Sequence, residues 1–159
     1  MLVALTGKLL PQSVVFILTG WACMAWQFGF NHYPMNGELW VLLVAMALMV
    51  ISSQALGLFY ACIFPNPRLA LSLGALTGIL AFSIAGFSFP VQNMYGAIGI
   101  FSYILPVRYM FLTYINVGLN GVAPWFVRAD LIAPLVFIAA PFTMMWNLKR
   151  MCLRPVYVP

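Results

Sequence analysis

The chain has 159 residues, of which 65% are hydrophobic and only 6% are charged, and its mean hydropathy is +1.04. A soluble domain carries about a quarter charged residues, so this composition excludes a domain whose whole surface faces water. The net charge of +5 contains no basic patch mixed with exposed aromatic residues, which argues against nucleic-acid binding, and the composition predicts an all-α, polytopic helical membrane protein.

Apolar segments of membrane-spanning length begin near the amino terminus. A spanning helix needs about 20 apolar residues, and residues 9–30 provide the first such run. A polar stretch at 31–38 separates it from a second predicted span at 39–64. The stretch contains Pro34 and Gly37, which favour a turn.

A third span is predicted at residues 68–87, directly after a short and stiff loop. The loop has the sequence Pro65-Asn66-Pro67-Arg68. Because so few residues join them, the second and third spans are expected to be antiparallel neighbours.

The next segment has no charge from residue 69 to residue 107. A single helix of that length would be roughly 58 Å long at 1.5 Å per residue, so the chain must fold back, and the breaks are expected at Gly86, Pro90, Gly96, Gly99 and Pro106. One folding is a full span at 96–116, which places Arg108 in mid-membrane at a cost of about 2.5–3.5 kcal/mol on insertion scales.

The other folding is a re-entrant hairpin at about 90–120 on the outer side, broken near Pro106. We prefer the hairpin because Arg108 can then reach the membrane interface. Backbone breaks at membrane depth are tolerated only when they are buried in protein or line a cavity. The hairpin is therefore expected to pack against other helices.

A fourth full span is predicted at residues 127–148, and charge sets the orientation of the whole chain. Arg108 and Arg128 fall on one side, with Glu38 and Asp130. Five cations fall on the other side, namely Lys8, Arg68, Lys149, Arg150 and Arg154. By the positive-inside rule the side with five is cytoplasmic, so both termini are expected in the cytoplasm.

Enzyme chemistry is not expected. The chain has two carboxylates and one histidine, His32, and no nucleophile paired with a base at membrane depth. It contains no zinc-protease, hydrolase or phosphate-binding loop motif. Cys23, Cys62 and Cys152 lack metal-ligand spacing. The sequence thus predicts no catalytic residue, no cofactor and no metal site.

Small and polar residues within the spans are candidates for packing or for a substrate path. Gly74 and Gly78 form a small-xxx-small face, as do Ser53 and Gly57 on the preceding span. Such faces let helices approach closely, either within the chain or in a dimer. Gln54 is the most polar residue of its span, and it either lines a path or bonds to an adjacent helix.

Two interactions are also possible for the side chain of Arg108. It either pairs with Glu38 or Asp130, or snorkels to lipid headgroups, and snorkelling is preferred.

Several of these residues together resemble the signature region of ABC-2-type transporter permeases. The similarity rests on Gly86-Phe87-Ser88-Phe89-Pro90, Met94, Leu105-Pro106 and Tyr109, and on the stretches 53–58 and 67–73 of the preceding helix pair. In that family a glycine and a proline close the penultimate helix, and a re-entrant element precedes the last one. Tyr95 departs from the pattern, since many members have proline after the methionine.

The resemblance implies a permease subunit, or a fragment of one, of an ATP-driven exporter. A separate ABC ATPase subunit would hydrolyse ATP, and a second permease chain would complete a homo- or heterodimer in the bacterial inner membrane. Family permeases usually have six spans, so the chain is expected to be incomplete, as a truncated gene or a split subunit. The alternatives are a non-transporting membrane scaffold and half of a secondary transporter, and the latter would require an inverted repeat that is not seen.

Overall fold

A computed structural model describes the backbone of residues 2–64, 66–87 and 93–153 and the side chains of residues 5–64, 66–87 and 93–144. These ranges are helical with no strand, as the composition predicted. Some residues named above lie outside the described residues, namely Pro65, Ser88, Phe89, Pro90 and Arg154, as do the side chains of Lys149, Arg150 and Cys152.

Six α-helices follow one another, two of them extended by π-helical turns. They are α1 (Leu2–Ala25, continued by a π-helix at Trp26–Phe30), α2 (Leu39–Ile63), α3 (Pro67–Ile84), α4 (Gly96–Ser102), α5 (Pro106–Thr113, continued by a π-helix at Tyr114–Leu119) and α6 (Arg128–Leu153). The start of α3 follows from local sequence: Pro67 occupies the first turn, and the side-chain oxygen of Asn66 accepts a hydrogen bond from the Arg68 amide at 3.2 Å. A proline there lacks only an N–H that the helix would leave unpaired.

Three of these helices are long and apolar enough to cross a membrane: Leu5–Phe30, Leu39–Ile63 and Pro67–Ile84. A fourth crossing results if α4 and the helix Pro106–Leu119 count as one bent span, since together they pass the same criterion with a bend of 86° between them. The chain is therefore a multi-pass membrane protein. The crossing by residues 127–148 stays a prediction.

The bundle is organised around α2, which packs most extensively against α6 and also against α1, α3 and α5. Pro134 and Pro141 are both buried. They lie two helical turns apart and so on one face of α6. The helix continues through both of them, so the prolines form part of a packed face without ending it.

The apolar core lies at one end of this bundle. Met24 of α1, Val41 and Leu42 of α2, Val117 of the second π-helix and Val127 before α6 pack together, and all are at most 5% exposed. The fold thus joins the polar turn at 31–38, the end of α5 and the start of α6 at the end that the charge distribution predicts to be outside.

Helix α3, in contrast to the buried core, has no buried residue. Large apolar side chains on it face outward, such as Leu71 at 74% and Ile79 at 71% exposed. A water-soluble monomer rarely presents so continuous an apolar surface. This face suits lipid or a second membrane protein.

Candidate functional site

The candidate residues of α2 and α3 line a common cleft. Ser53 and Gly57 of α2 face Gly74 and Gly78 of α3 across a cavity of about 180 Å³. The first turn of α5 closes one end of it, through Leu105, Pro106 and Val107. We call this cavity the α2–α3 cleft.

The small residues of the cleft do not bring the two helices into close contact. A Cβ atom added to Gly57, Gly74 or Gly78 would meet no atom within 4 Å. The tight packing of α2 on α3 that the small-xxx-small spacing favoured is therefore wrong at these three glycines. They leave open space between the helices instead, and a dimer interface at this face stays a prediction.

A hydrogen bond between side chains links α2 and α3 beside that space. The hydroxyl oxygens of Tyr60 and Thr77 lie 3.1 Å apart, and Thr77 Oγ1 is also 2.6 Å from the Leu73 carbonyl oxygen. Because a threonine hydroxyl has one proton, Thr77 donates to Leu73 and accepts from Tyr60. Both side chains line the cleft, so its wall has a polar strip within an apolar surround.

Gln54 lies on the α1 side of α2 and does not line the cleft. Its side-chain oxygen accepts a hydrogen bond from Ser13 Oγ of α1 at 2.5 Å, while the same hydroxyl lies 2.8 Å from the Leu9 carbonyl oxygen. The Gln54 amide nitrogen is buried without a partner. Of the two roles considered for Gln54, the structure places it at a helix–helix contact.

The segment after α3 bends sharply at a proline. Leu105 has extended backbone angles of −101° and 116°, and Pro106 opens α5. A residue before proline is disfavoured in the helical region, so Pro106 itself explains why α4 does not continue into α5. The re-entrant path of the two helices through the membrane stays a prediction.

Gly86 marks the other end of this segment. It follows the last turn of α3 with φ of 105°, a conformation that glycine adopts without steric cost. Gly86 and Arg108 border the same cavity between α3, α4 and α5, which we call the hairpin cavity. Apart from Gln54, the described candidate residues thus divide between two cavities, with Pro106 at the α2–α3 cleft.

Arg108 is buried at the bend, with 8% of its surface exposed. One terminal guanidinium nitrogen donates a hydrogen bond to Ser102 Oγ, and the guanidinium carbon lies 4.2 Å from the centre of the Tyr103 ring. The expectation that Arg108 snorkels to the interface is therefore wrong, because the bend encloses the side chain. Within the described residues it forms no ion pair, although its charge acts on Asp130.

Glu38, the other carboxylate considered as a partner, is exposed and occupied elsewhere. Its side-chain oxygen accepts a hydrogen bond from the Trp40 indole nitrogen at 2.5 Å. Glu38 therefore contributes to the surface of the predicted outer end, away from the buried arginine.

A contact at the core end of the bundle escaped the sequence analysis. The Asn36 amide donates to the Gly118 carbonyl at 3.0 Å, and Asn36 Nδ2 donates to the Leu119 carbonyl at 2.7 Å. A Cβ atom on Gly37 would lie 2.1 Å from the Val117 carbonyl oxygen. The α1–α2 turn is thus clamped to the end of α5 by backbone contacts, and Gly37 was its one visible sign in the sequence.

Comparison with known proteins agrees with this architecture. The sequence model of the ABC-2 family transporter proteins matches residues 2–147. The chain is 27% identical over 141 residues to the probable multidrug ABC transporter permease YbhS of Escherichia coli K12, and equally to its counterpart in strain O157:H7. The match covers 86% of this chain and 36% of the relative.

The chain therefore spans about a third of the length of the curated relatives that it matches. No solved structure matches it.

Proposed function

The chain belongs to the ABC-2 family of transporter proteins, and on that premise we propose that it is a membrane-spanning permease subunit, or part of one, of an ATP-driven exporter. The observation that carries the proposal is the family match over residues 2–147, joined to an all-helical fold with apolar outward faces. A relative described as a probable multidrug permease supports drugs as the class of compound transported.

Energy would come from a partner. The sequence has no phosphate-binding loop of the form G-x-x-x-x-G-K-[ST], which an ATPase of this class needs to hold the nucleotide. We therefore assign ATP hydrolysis to a separate ABC ATPase subunit. The second permease chain, the bacterial inner membrane and cytoplasmic termini are parts of the same proposal.

The α2–α3 cleft is the feature best suited to be this chain's share of the path. Its glycines leave space between two helices, and Ser53, Tyr60 and Thr77 add hydroxyl groups to a mainly apolar wall. The bend at Pro106 closes one end. A change in the angle of α5 would open or narrow the cleft, which gives a partner ATPase a way to act on it.

The test is ATP-dependent uptake of a fluorescent amphiphilic dye by inverted membrane vesicles that contain the permease and its ABC ATPase. The informative variant is Gly78→Leu, which fills the cleft, and the matched control is Ala75→Leu, which adds a leucine to an exposed position of the same helix. We expect Gly78→Leu to lose most of the uptake and Ala75→Leu to retain it, with equal amounts of both proteins in the membrane.

Equal uptake by Gly78→Leu and the unmodified protein would exclude the cleft as the path. If the permease binds its ATPase and no uptake of any dye in a chemically varied panel depends on ATP, the non-transporting scaffold is the better description. Uptake only into right-side-out vesicles would reverse the proposed direction.

A further inference from the structure

The hairpin cavity combines one buried cation with apolar walls. Its volume is about 670 Å³, and it is bordered by Gly96 and Ile100 of α4, Phe111 and Arg108 of α5, and Ile115 and Asn116 of the π-helix that follows. It is distinct from the α2–α3 cleft, since no residue borders both.

Arg108 has hydrogen-bonding capacity that the protein does not use. One terminal nitrogen is bonded to Ser102, whose own hydroxyl donates to the Gly99 carbonyl at 2.6 Å. The Nε–H group is buried and has no partner. An unpaired donor on a buried charged group is costly, so Ser102 alone does not satisfy the Arg108 guanidinium.

The local electrostatics favour an anion as that acceptor. Arg108 lies in the first turn of α5, where the helix dipole adds partial positive charge. Asp130 interacts electrostatically with Arg108, but no ion pair joins the two side chains within the described residues. A buried cation without a paired counter-charge is strongly unfavourable, so the site attracts a negatively charged group.

The shape of the guanidinium indicates which negatively charged groups it can bind. Arginine binds carboxylate and phosphate oxygens through parallel N–H donors, and Asn116 adds an amide at the same cavity. Ile100, Phe111 and Ile115 would face the rest of the ligand. A small hydrated ion would leave these apolar walls unfilled.

We propose that the hairpin cavity binds the oxyanion head of an amphiphile, a phosphate or carboxylate carried on an apolar body, through the Arg108 guanidinium, since Arg108 borders the cavity. Two sources share this chemistry: an anionic lipid of the bilayer and a free amphiphilic acid that exchanges at the site. The site is a property of this membrane domain alone, so it does not depend on the proposed ATP-driven transport.

The test measures ligand binding by the chain purified in an uncharged detergent, using native mass spectrometry and thermal unfolding. The probes are phosphatidylglycerol, phosphatidylcholine with the same acyl chains, single-chain dodecyl phosphate, and inorganic phosphate. We expect phosphatidylglycerol or dodecyl phosphate to bind and stabilise the chain at least roughly tenfold more tightly than phosphatidylcholine, as a charge-assisted hydrogen bond in a buried site implies.

The variants separate binding from folding. Arg108→Gln is expected to lose that preference, while Arg128→Gln, which removes an exposed cation stacked on Trp125, retains it. Gly96→Leu places a side chain in open space at the cavity and is expected to weaken binding with Arg108 intact. Should Arg108→Gln fail to fold, Gly96→Leu and Arg108→Lys, which keeps the charge without Nε, provide the same comparison.

If dodecyl phosphate does not displace bound phosphatidylglycerol, the natural ligand is a bilayer lipid. If dodecyl phosphate displaces it readily, the natural ligand is an exchangeable amphiphile. Binding of phosphatidylcholine as tight as that of phosphatidylglycerol would overturn the proposal, as would unchanged binding in Arg108→Gln. Inorganic phosphate that stabilises the chain as well as dodecyl phosphate would also overturn it, because the apolar body would then contribute nothing.

Discussion

Among single residues, Gly37 is a position at which the neighbouring backbone leaves no room for a side chain. Its Cα lies against the π-helix that ends α5, where an added Cβ would be 2.1 Å from the Val117 carbonyl oxygen and 2.8 Å from Val117 Cγ1. The Val117 carbonyl oxygen cannot move away without breaking the hydrogen bonds between Asn36 and residues 118 and 119. Glycine is required here by close approach.

Gly37→Ala is therefore expected to destabilise the chain by about 1–3 kcal/mol, the range for overpacking a closed contact. Thermal unfolding in detergent measures the effect. Gly29→Ala is the matched control, because a Cβ atom there meets nothing within 4 Å. Similar melting temperatures for the two variants would show that the clamp contributes no stability.

At the scale of elements, the bend between α4 and α5 organises both cavities. The turn at Tyr103–Leu105 is held by backbone hydrogen bonds from residues 103, 104 and 105 to carbonyls three positions earlier. The Tyr109 hydroxyl also donates to the Tyr103 carbonyl at 2.9 Å. Pro106 restricts the backbone of Leu105 to the extended region. The sequence at Pro106 therefore favours the bend, and these hydrogen bonds stabilise it.

Pro106→Ala removes that restriction and is expected to widen the range of angles between α4 and α5. Spin labels at the exposed positions Ile98 and Leu119, in a background without native cysteines, report the distance between the two helices. We expect one narrow distance distribution for the unmodified chain and a broader one for Pro106→Ala. Pro34→Ala, in an exposed part of the α1–α2 turn, serves as the control and should leave the distribution narrow.

The same elements show which features the sequence could predict. Helix positions and the break near Pro106 follow from runs of apolar residues and from proline chemistry, which are local. The spacing of Gly57, Gly74 and Gly78 is equally compatible with a tight contact and with a cleft. Only the packing of α5 and the Tyr60–Thr77 bond decide between them, and neither is visible in one sequence.

For the whole molecule, the prediction that follows from charge is the orientation in the membrane. Five cations on one side against two on the other predict that both termini lie in the cytoplasm. A reporter that is active only in the cytoplasm should be active after Pro159 and inactive near Asn120. An external carboxyl terminus would show that the bent pair of α4 and α5 crosses the bilayer as a full span.

The burial of Arg108 shows where whole-molecule reasoning from sequence failed. Charge and hydropathy predicted an arginine that escapes to the interface. The fold instead supplies Ser102 and Tyr103 to hold it, because the bend turns α4 back over the first turn of α5. A long-range arrangement of this kind is set by packing among several helices, and a hydropathy pattern does not contain it.

The clamp between Asn36 and the end of α5 also imposes an order on biosynthesis. Its partners are 83 residues apart in the chain, so Asn36 is synthesised well before Leu119 exists. The hydrogen bonds from Asn36 to the end of α5 can therefore form only after α5 has been made. The clamp at this end of the bundle is thus a late event in folding, and a chain that ended after α3 would lack it.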